Sequence, residues 1–413
     1  MRDGWTEGVR YGRPMPIDLA AVRADTPATA HLAHLNNAGA SLPPTPVLEA
    51  TIAHLRLEAE IGGYEAHDRA ADRIERTYAA IAELIGARRS EIALVENATR
   101  AWDLAFYSFR FGPGDRILCA RAEYASNVIA LLQVARRTGA EVVYVPNDEH
   151  GQLSTEALGT LLDEGGVKLV AVTHVPTHGG LVNPAAEIGR LTRAAGVPYL
   201  LDACQSVGQL RVEVDEIGCD LLSVTGRKFL RGPRGTGFLY AREELADRLE
   251  PPMLDLDSAT LTGPDSFTIQ PGAHRFETWE ANVAGRVGLG VAVDYALALG
   301  IDAIEERVVE LAGRLRTRLD GIDGVTVRDQ GLRQSAITTF TVDGMASPDV
   351  ADRLRRDRVN VSSSGDQVIF DFPEVGITDA VRASVHYFND DGDLDRLVGR
   401  VTAIAATREP SGR

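Results

Sequence analysis

The stretch VPYLLDACQSVGQLRVEVDEIGCDLLSVTGRK, residues 197–228, holds two short apolar runs that each lead to a polar side chain. The first run ends at Asp202, and the second is followed closely by Lys228. Short, nearly continuous apolar runs are typical of strands buried on both faces, as in a parallel sheet with helices on either side. The stretch therefore predicts two buried strands and indicates the fold class of the chain.

The same pattern recurs towards the N-terminus, where helical segments separate the apolar runs RILCA, EVVYVP and VKLVAVTHV. We predict an α/β protein whose large domain contains a mostly parallel, seven-stranded-type sheet. Past residue 283 the pattern changes to two long amphipathic helices, then to short alternating strands and a final helix. This change predicts a smaller α+β domain at the C-terminus. The predicted division is an N-terminal arm (1–45), a large cofactor-binding domain (46–295) and a small domain (296–413).

Composition limits the classes of function. The 413 residues carry a formal net charge of −16, which disfavours binding to nucleic acid or to an anionic membrane. No apolar run approaches the ~18 to 20 residues of a membrane span, and the N-terminus lacks the apolar core of a signal peptide. The three cysteines, Cys119, Cys204 and Cys219, have no paired spacing. We expect a cytoplasmic protein without a disulfide framework, a metal site, a nucleic-acid partner or a membrane partner.

The lysine that ends the opening stretch is unusual for this chain. Of 43 basic residues, only Lys168 and Lys228 are lysines. Lysine can lose its proton and form an imine with an aldehyde, whereas the guanidinium of arginine stays charged. Lys228 also follows a predicted strand at its carboxyl end, where open parallel sheets bind ligands. The sequence favours a requirement for an amine at Lys228. The alternative is a surface cation, since Lys168 has no evident role.

A reactive lysine suggests pyridoxal phosphate, and the other predicted strand ends offer the groups that this cofactor needs. Asp202 ends an apolar strand, and a buried aspartate is rare unless it is paired. A protonated ring nitrogen would be such a partner. The stretch ENATRA offers backbone N–H groups and the Thr99 hydroxyl at a helix N-terminus, where anions bind. The alternative for that stretch is an ordinary helix cap.

These motifs resemble the aminotransferase class-V family of fold-type I pyridoxal-phosphate enzymes. The family includes cysteine desulfurases, selenocysteine lyases, isopenicillin N epimerases and carbon–sulfur lyases. The resemblance covers roughly residues 35–405 and keeps the order of the motifs. It implies a homodimer with active sites at the subunit interface. The matching motifs are HLNNAGAS (34–41), ENAT (96–99), EYASN (123–127), LDACQS (201–206), SVTGRKFLRGPRGTGFLY (223–240), RFETWE (275–280) and VRASVHYFN (381–389).

The resemblance implies a role for each matching residue. Lys228 would carry the cofactor as an imine and then transfer protons, while Asp202 would keep the ring nitrogen protonated. Tyr124 would lie on the ring face, where many relatives have histidine. The remaining implied contacts are to the phosphate from Ala98, Thr99 and Thr225, to the ring hydroxyl from Gln205 and Thr177, and to the substrate carboxylate from Arg382. For Gln205 and Thr177 the alternative is bonding to backbone groups, and for Arg382 it is a cation on a strand surface.

Some positions depart from the family pattern. Arg227 precedes the lysine where relatives often have histidine, which implies a guanidinium contact to the phosphate. In RFETWE, Trp279 and Glu280 stand where the loop that crosses to the neighbouring subunit usually has Gly-Thr. Trp279 would either shape the substrate pocket or pack in the interface. Asn37 and Tyr64 complete the predicted substrate-binding set. Tyr64 is included because EIGGYEA resembles a stretch of ergothioneine-pathway carbon–sulfur lyases, and its alternative is a helix end broken by glycine.

The segment RVNVSSSG, residues 358–365, bears on the reaction. Desulfurases with a sulfur-accepting cysteine carry it on a loop in this region, and here no cysteine follows Cys219. The resemblance then implies a carbon–sulfur lyase that acts on a cysteine-like conjugate or its sulfoxide and releases pyruvate and ammonia. An aminotransferase and an amino-acid epimerase are the enzymatic alternatives. A catalytically idle binding protein on the same scaffold is the alternative outside enzymes.

Overall fold

The fold is described by a computed structural model that covers residues 16–364 and 379–407. The helices are α1 (Leu19–Ala24), α2 (Thr45–Ile61), α3 (Gly63–Arg69), α4 (Ala71–Ile85), α5 (Ala98–Tyr107), α6 (Ala125–Thr138), α7 (Thr155–Asp163), α8 (Ala185–Ala195), α9 (Val214–Ile217), α10 (Glu243–Ala246), α11 (Val283–Leu299), α12 (Ile301–Asp320), α13 (Ser347–Arg356) and α14 (Asp391–Ala405). The strands are β1 (Ala33–His34), β2 (Ile92–Val95), β3 (Arg116–Cys119), β4 (Glu141–Tyr144), β5 (Val167–Thr173), β6 (Tyr199–Asp202), β7 (Leu221–Thr225), β8 (Gly237–Ala241), β9 (Ala259–Gly263), β10 (Ser266–Ile269), β11 (Val325–Val327), β12 (Ile337–Val342), β13 (Val359–Asn360), β14 (Ser362–Ser364) and β15 (Ala380–Ser384).

The large sheet has seven strands in the order β2-β8-β7-β6-β5-β3-β4. Strands β3 to β7 pair in parallel. Strand β8 runs antiparallel to both of its neighbours, β7 and β2. The predicted α/β fold with a mostly parallel sheet is confirmed.

Both faces of this sheet are covered, as the continuous apolar runs predicted. Along β6, Tyr199 and Leu201 belong to one apolar cluster, which includes residues of α4, α7 and α8. Leu200 points to the opposite cluster, which includes residues of α5 and α6. The parallel register aligns Thr173 of β5 with Asp202, and Asp202 with Ser223 of β7. Three central strands therefore bring their carboxyl ends together.

The small domain is built on an antiparallel four-stranded sheet with the order β11-β12-β15-β14. Helices α12 and α13 pack against its strands, and α14 packs against both helices. Within the motif VRASVHYFN, the chain leaves the sheet after Ser384. There His386 N–H donates to the Asn389 side chain at 2.8 Å, which fixes a turn before α14.

The N-terminal segment from residue 16 is part of the small-domain core. Val22, Ala33 and Leu35 are buried in the apolar cluster that includes α12, α14 and the antiparallel sheet. Strand β1 pairs in parallel with β13, and Arg23 donates to Asp393 at 3.0 Å. The first 15 residues of the predicted arm lie outside the described part of the chain.

Helices α11 and α12 connect the two domains and bend by 80° at their junction. Helix α11 packs against α2 and α4. It buries Val293 in the core beneath the large sheet and Ala296 in the small-domain core. The predicted boundary after residue 295 falls inside this helix, and the division into three parts stays a prediction. Within the described ranges, no single helix is long and apolar enough to cross a membrane, although this bent pair passes that test of length and composition together.

Candidate active site

A cavity of about 470 Å³ opens at the carboxyl ends of β5, β6 and β7. The N-terminal turns of α5 and α6 and the loop around Gly235 complete its wall. Ligands of open α/β sheets bind at this edge, so the position agrees with the general rule. The lining residues are Glu96, Asn97, Ala98, Thr99, Tyr124, Asn127, Thr173, Val175, Thr177, Asp202, Cys204, Gln205, Thr225, Arg227, Lys228, Arg234 and Gly235.

Lys228 follows β7 and lines this cavity. The residue is buried, with 9 % of its surface exposed. Burial lowers the pKa of its amine, and the nearby Cys204 and Asp202 only partly oppose that effect. Its Nζ lies 5.9 Å from the centre of the Tyr124 ring. A desolvated lysine holds its proton less tightly than an exposed lysine. A larger fraction of it is therefore the neutral amine that forms imines.

Asp202 is held in place by two hydrogen bonds at the end of β6. Its Oδ1 accepts the backbone N–H of Cys204 at 3.0 Å. Its Oδ2 accepts the side-chain amide of Asn127, from the first turn of α6, at 2.9 Å. The carboxylate is buried, lines the cavity and interacts electrostatically with Lys228. It can therefore bind a cationic ring nitrogen beside the lysine.

An anion site lies where α5 begins. The Asn97 side chain accepts the N–H of Arg100 at 2.9 Å and caps the helix. The predicted helix cap is thus present, and the N-terminal turn with Ala98 and Thr99 still lines the cavity. Unpaired N–H groups at a helix N-terminus attract anions such as phosphate. Thr225 and Arg227 lie on the same wall, and are placed to add hydroxyl and guanidinium donors.

Arg382 of the small domain contacts the cavity wall through Thr177. It lies on β15, and its Nη1 donates to both the backbone oxygen and the hydroxyl of Thr177, at 2.9 and 2.6 Å. Gln205 donates to the same hydroxyl at 3.2 Å. Burial, together with the charge of Arg227, lowers the pKa of Arg382 to about 10. In the described part of the chain, Arg382 Nε and Gln205 Oε1 are buried without a hydrogen-bond partner.

None of the four predicted substrate-binding residues lines the cavity itself, although Arg382 binds Thr177 on its wall. Asn37 is fully buried: its amide donates to Ser384 at 2.8 Å and accepts from Ser41 at 2.7 Å. These bonds hold the loop that carries Asn37, and its substrate contact stays a prediction. The neighbouring Asn36 lies 3.5 Å from Arg382. Tyr64 and Trp279 are 77 % and 59 % exposed, and their substrate contacts stay predictions.

Outside the cavity, Asp257, His274 and Glu277 come close enough for three ligand atoms to share an ion. The buried Glu277 carboxylate already accepts from Tyr78 at 2.8 Å and from the backbone of Leu94 at 3.0 Å. It also pairs with Arg286 at 3.1 Å. These partners explain the cluster as a structural network, and the predicted absence of a metal is not tested by it.

The cavity residues fit pyridoxal phosphate. A buried amine, a buried carboxylate and a helix N-terminus surround one space, which matches the aldehyde, the ring nitrogen and the phosphate of that cofactor. The unsatisfied Gln205 Oε1 adds an acceptor at the wall near Thr177. Buried polar atoms usually have partners, so an unpaired acceptor at a cavity wall indicates a site made for a polar ligand.

Comparison with known proteins agrees with this geometry. The family profile described as aminotransferase class-V matches residues 33–397. The chain belongs to this family. It is 31 % identical over 97 % of its length to a probable cysteine desulfurase of Xylella fastidiosa, 98 % of which is covered. It is 32 % identical over 94 % of its length to one of Synechocystis, 96 % of which is covered.

The fold comparison gives the same family. The apo structure of the cysteine desulfurase of Thermococcus onnurineus aligns with a TM-score of 0.87 and 27 % identity, over 95 % of this chain and 99 % of the other. The predictions of family, fold-type I architecture and pyridoxal-phosphate-dependent lyase class are therefore confirmed.

Sequence reasoning gave no role to three residues at or behind the cavity wall. Asn127 and Glu123 belong to the quoted motif EYASN, but only Tyr124 was given a role. The available signal was a pair of polar residues, one turn apart, at a helix start that faces buried strands. Cys204 was treated only in the cysteine count, although its place two residues after Asp202 puts it on the cavity wall.

Proposed function

We propose that this class-V enzyme cleaves the carbon–sulfur bond of a cysteine conjugate or cysteine sulfoxide by β-elimination, releasing pyruvate and ammonia. The single observation that carries the proposal is the grouping of Lys228 and Asp202 on one cavity, with Arg382 bound to Thr177 of its wall. The only cavity-lining cysteine, Cys204, has a strongly raised pKa.

The residues that would hold pyridoxal phosphate are those of the cavity wall. Asp202 would pair with the ring nitrogen, Tyr124 would cover the ring, and Gln205 and Thr177 would approach its hydroxyl. Thr99, Thr225 and Arg227, with the N-terminus of α5, would bind the phosphate. When bound, the cofactor supplies an electron sink for the pair left at the substrate α-carbon.

The protein supplies the base and the anchor. The lowered pKa of Lys228 leaves more neutral amine near neutral pH, and a neutral amine is what can take the α-proton. Arg382 presents two donors from its planar guanidinium to a carboxylate, and in the substrate-free protein Thr177 accepts from that group. A substrate carboxylate would replace a neutral partner with a charged one, which strengthens the hydrogen bonds.

The choice of lyase over desulfurase rests on the cysteines. A desulfurase must pass sulfur to an acceptor thiolate, and leaves alanine. Cys119 and Cys219 are buried, and burial raises the pKa of both thiols strongly. The region with RVNVSSSG carries serines at β14, and residues 365–378 that follow contain no cysteine. The β-sulfur group would therefore leave as a small molecule.

A cysteine desulfurase is the second candidate. The names of the relatives favour it, and so does Cys204, which lies on the cavity wall. Burial and the Asp202 carboxylate raise the pKa of the Cys204 thiol strongly, which disfavours the thiolate that would attack sulfur.

Product analysis separates these two reactions. The purified holoenzyme is incubated with cysteine, a cysteine S-conjugate and a cysteine sulfoxide, and alanine, pyruvate and ammonia are measured. We expect equal amounts of pyruvate and ammonia from a conjugate or sulfoxide, and the same products from Cys204→Ser. Alanine from cysteine, lost in Cys204→Ser, would establish the desulfurase instead.

The other enzymatic alternatives leave their own signatures in the same assay. In an aminotransferase, the amino-acid substrate would convert the cofactor to the pyridoxamine form, which is seen by its absorbance, and an added α-keto acid would convert it back. Loss of optical rotation without pyruvate would indicate an epimerase. A colourless purified protein that binds no cofactor would support the idle binding protein.

We also propose a cytoplasmic homodimer. Support for the dimer comes from exposed aromatic side chains, including Tyr64, Trp279 and Phe267, on the surface of one chain. Support for the reducing compartment comes from the three free cysteines. Sedimentation analysis should give a dimer, and cell fractionation should place the enzyme in the cytoplasm. A fully active monomer, or recovery outside the cytoplasm, would overturn the respective proposal.

A further inference from the structure

Behind the cavity, a second buried carboxyl group lies beside Asp202. Glu123 precedes α6 and is 7 % exposed, and Asp202 is 4 % exposed. One oxygen of Glu123 accepts the backbone N–H of Thr173 at 2.6 Å, and the other lies 2.6 Å from the Thr173 hydroxyl. Because Thr173 and Asp202 are aligned in the sheet, the two carboxyl groups are neighbours.

Asn127 bridges this pair. Its Nδ2 lies 2.9 Å from Asp202 Oδ2 and 3.5 Å from Glu123 Oε2. A side-chain amide nitrogen carries two hydrogens, so one group can donate in both directions. Asn127 is 3 % exposed, which leaves it little access to water as an alternative partner. The amide therefore fixes the orientation of the Asp202 carboxylate relative to the cavity.

Two adjacent buried carboxylates would repel each other. Burial raises the pKa of Glu123 to about 8, the hydrogen bonds from Thr173 oppose this, and the charge of Asp202 adds to it. The other titratable groups that interact with Glu123 are Cys119 on β3, Tyr144 on β4 and Tyr199 on β6. Each has a raised pKa and is neutral at pH 7. Within the described part of the chain, the main interactions of Glu123 therefore include no cation that would favour its charged form.

We propose that Glu123 and Asn127 are positioning residues for Asp202. Glu123 acts as a neutral carboxylic acid that donates to the Thr173 hydroxyl, and Asn127 donates to the Asp202 carboxylate and aims it at the cavity. The negative charge of the pair then stays on Asp202, where a protonated ring nitrogen can use it. The inference rests on the proposed role of Asp202, but its first test needs no cofactor.

The first test is infrared difference spectroscopy of the apoprotein between pH 6.5 and 9.5. We expect the carbonyl band of a protonated carboxylic acid to disappear with a midpoint near pH 8. The band should be missing from Glu123→Gln, and it should remain in Glu141→Gln, a matched change at an exposed carboxylate. A band that persists in Glu123→Gln would overturn the proposal for Glu123.

The second test measures the holoenzyme. Glutamine reproduces the neutral acid, so Glu123→Gln should retain pyridoxal-phosphate affinity within about threefold. Asn127→Asp keeps the shape of the side chain but replaces the donor by a third carboxyl group. Its affinity for the cofactor should fall about ten- to a hundredfold, with a shifted absorbance maximum of the bound cofactor.

A packing role alone would leave the isosteric Asn127→Asp unchanged in affinity and spectrum, and that result would overturn the proposal for Asn127. Circular dichroism of the apoprotein establishes that each variant is folded. If the wild-type protein binds no pyridoxal phosphate, the proposed function fails, and the infrared test still decides the state of Glu123.

Discussion

Lys228 and Arg231 are two buried cations of one loop with opposite environments. Lys228 lines the cavity, and burial lowers its pKa. Arg231 is fully buried, and donates to Leu42 O and to the Thr26 hydroxyl, each at 2.7 Å. Its guanidinium carbon lies 4.6 Å from the centre of the Phe388 ring. The Lys228 amine is desolvated and can react in the cavity, whereas the Arg231 guanidinium uses its donors to hold the loop.

Lys228→Arg should have the largest effect, because it replaces the amine of Lys228 by the same group that Arg231 carries. The substitution keeps a positive charge but removes the amine, so that no imine can form. Activity should fall at least about a thousandfold, and borohydride should trap no cofactor on the chain by mass spectrometry. Lys168→Arg, at an exposed position, is the control and should behave as the wild type. Cofactor trapped on any residue of Lys228→Arg would contradict the assignment.

Arg231→Met should test the other half of the comparison. It leaves Leu42 O and the Thr26 hydroxyl buried without their donor, so the free energy of unfolding should fall by about 2–4 kcal/mol. Urea denaturation of the apoprotein measures this. Arg234→Met removes an exposed arginine of the same loop and should change that free energy by less than about 0.5 kcal/mol. Equal stability of the two variants would show that Arg231 does not hold the loop.

Lys228→Met should raise the free energy of unfolding, whereas Arg231→Met should lower it. The pKa of Lys228 is lower in the folded protein, so the unfolded chain binds its proton more readily, and stability is lost as pH falls from the ordinary lysine value. Removing the amine should stabilise the apoprotein by about 0.5–2 kcal/mol at pH 7. The gain should shrink by pH 9.5 in urea denaturation. A gain that is the same at both pH values would rule out the desolvated amine as its cause.

The central strands of the large sheet could be predicted because the sequence pattern that marks them is local. Strands β6 and β7 are buried on both faces, so their side chains form unbroken apolar runs that need no knowledge of their neighbours. Parallel strands end at one edge, which is why Asp202 and Lys228 could be predicted to meet. The direction of β8 could not be predicted, since the buried run GFLYA reads the same for either direction.

The supporting contacts depend on distant parts of the chain. The bond between Asn127 and Asp202 joins residues 75 positions apart, and it depends on how α6 lies over the sheet. Arg231 adopts a φ of 61°, which is uncommon for a residue other than glycine and has no sequence signature here. The motif with two adjacent asparagines does not reveal that Asn37 bonds to Ser384 while Asn36 lies beside Arg382.

The parallel pairing of β1 with β13 has a consequence for synthesis of the chain. The segment whose Gly39 O accepts from Arg227 and whose Ala38 O accepts from Gln205 depends for its own position on Val359, Asn360 and Ser384. During translation the large sheet can form before those residues leave the ribosome, since domains fold from the N-terminus as they emerge. The wall that holds Arg227 and Gln205 is completed only afterwards, so that loading of the active site must wait until Ser384 has been synthesised.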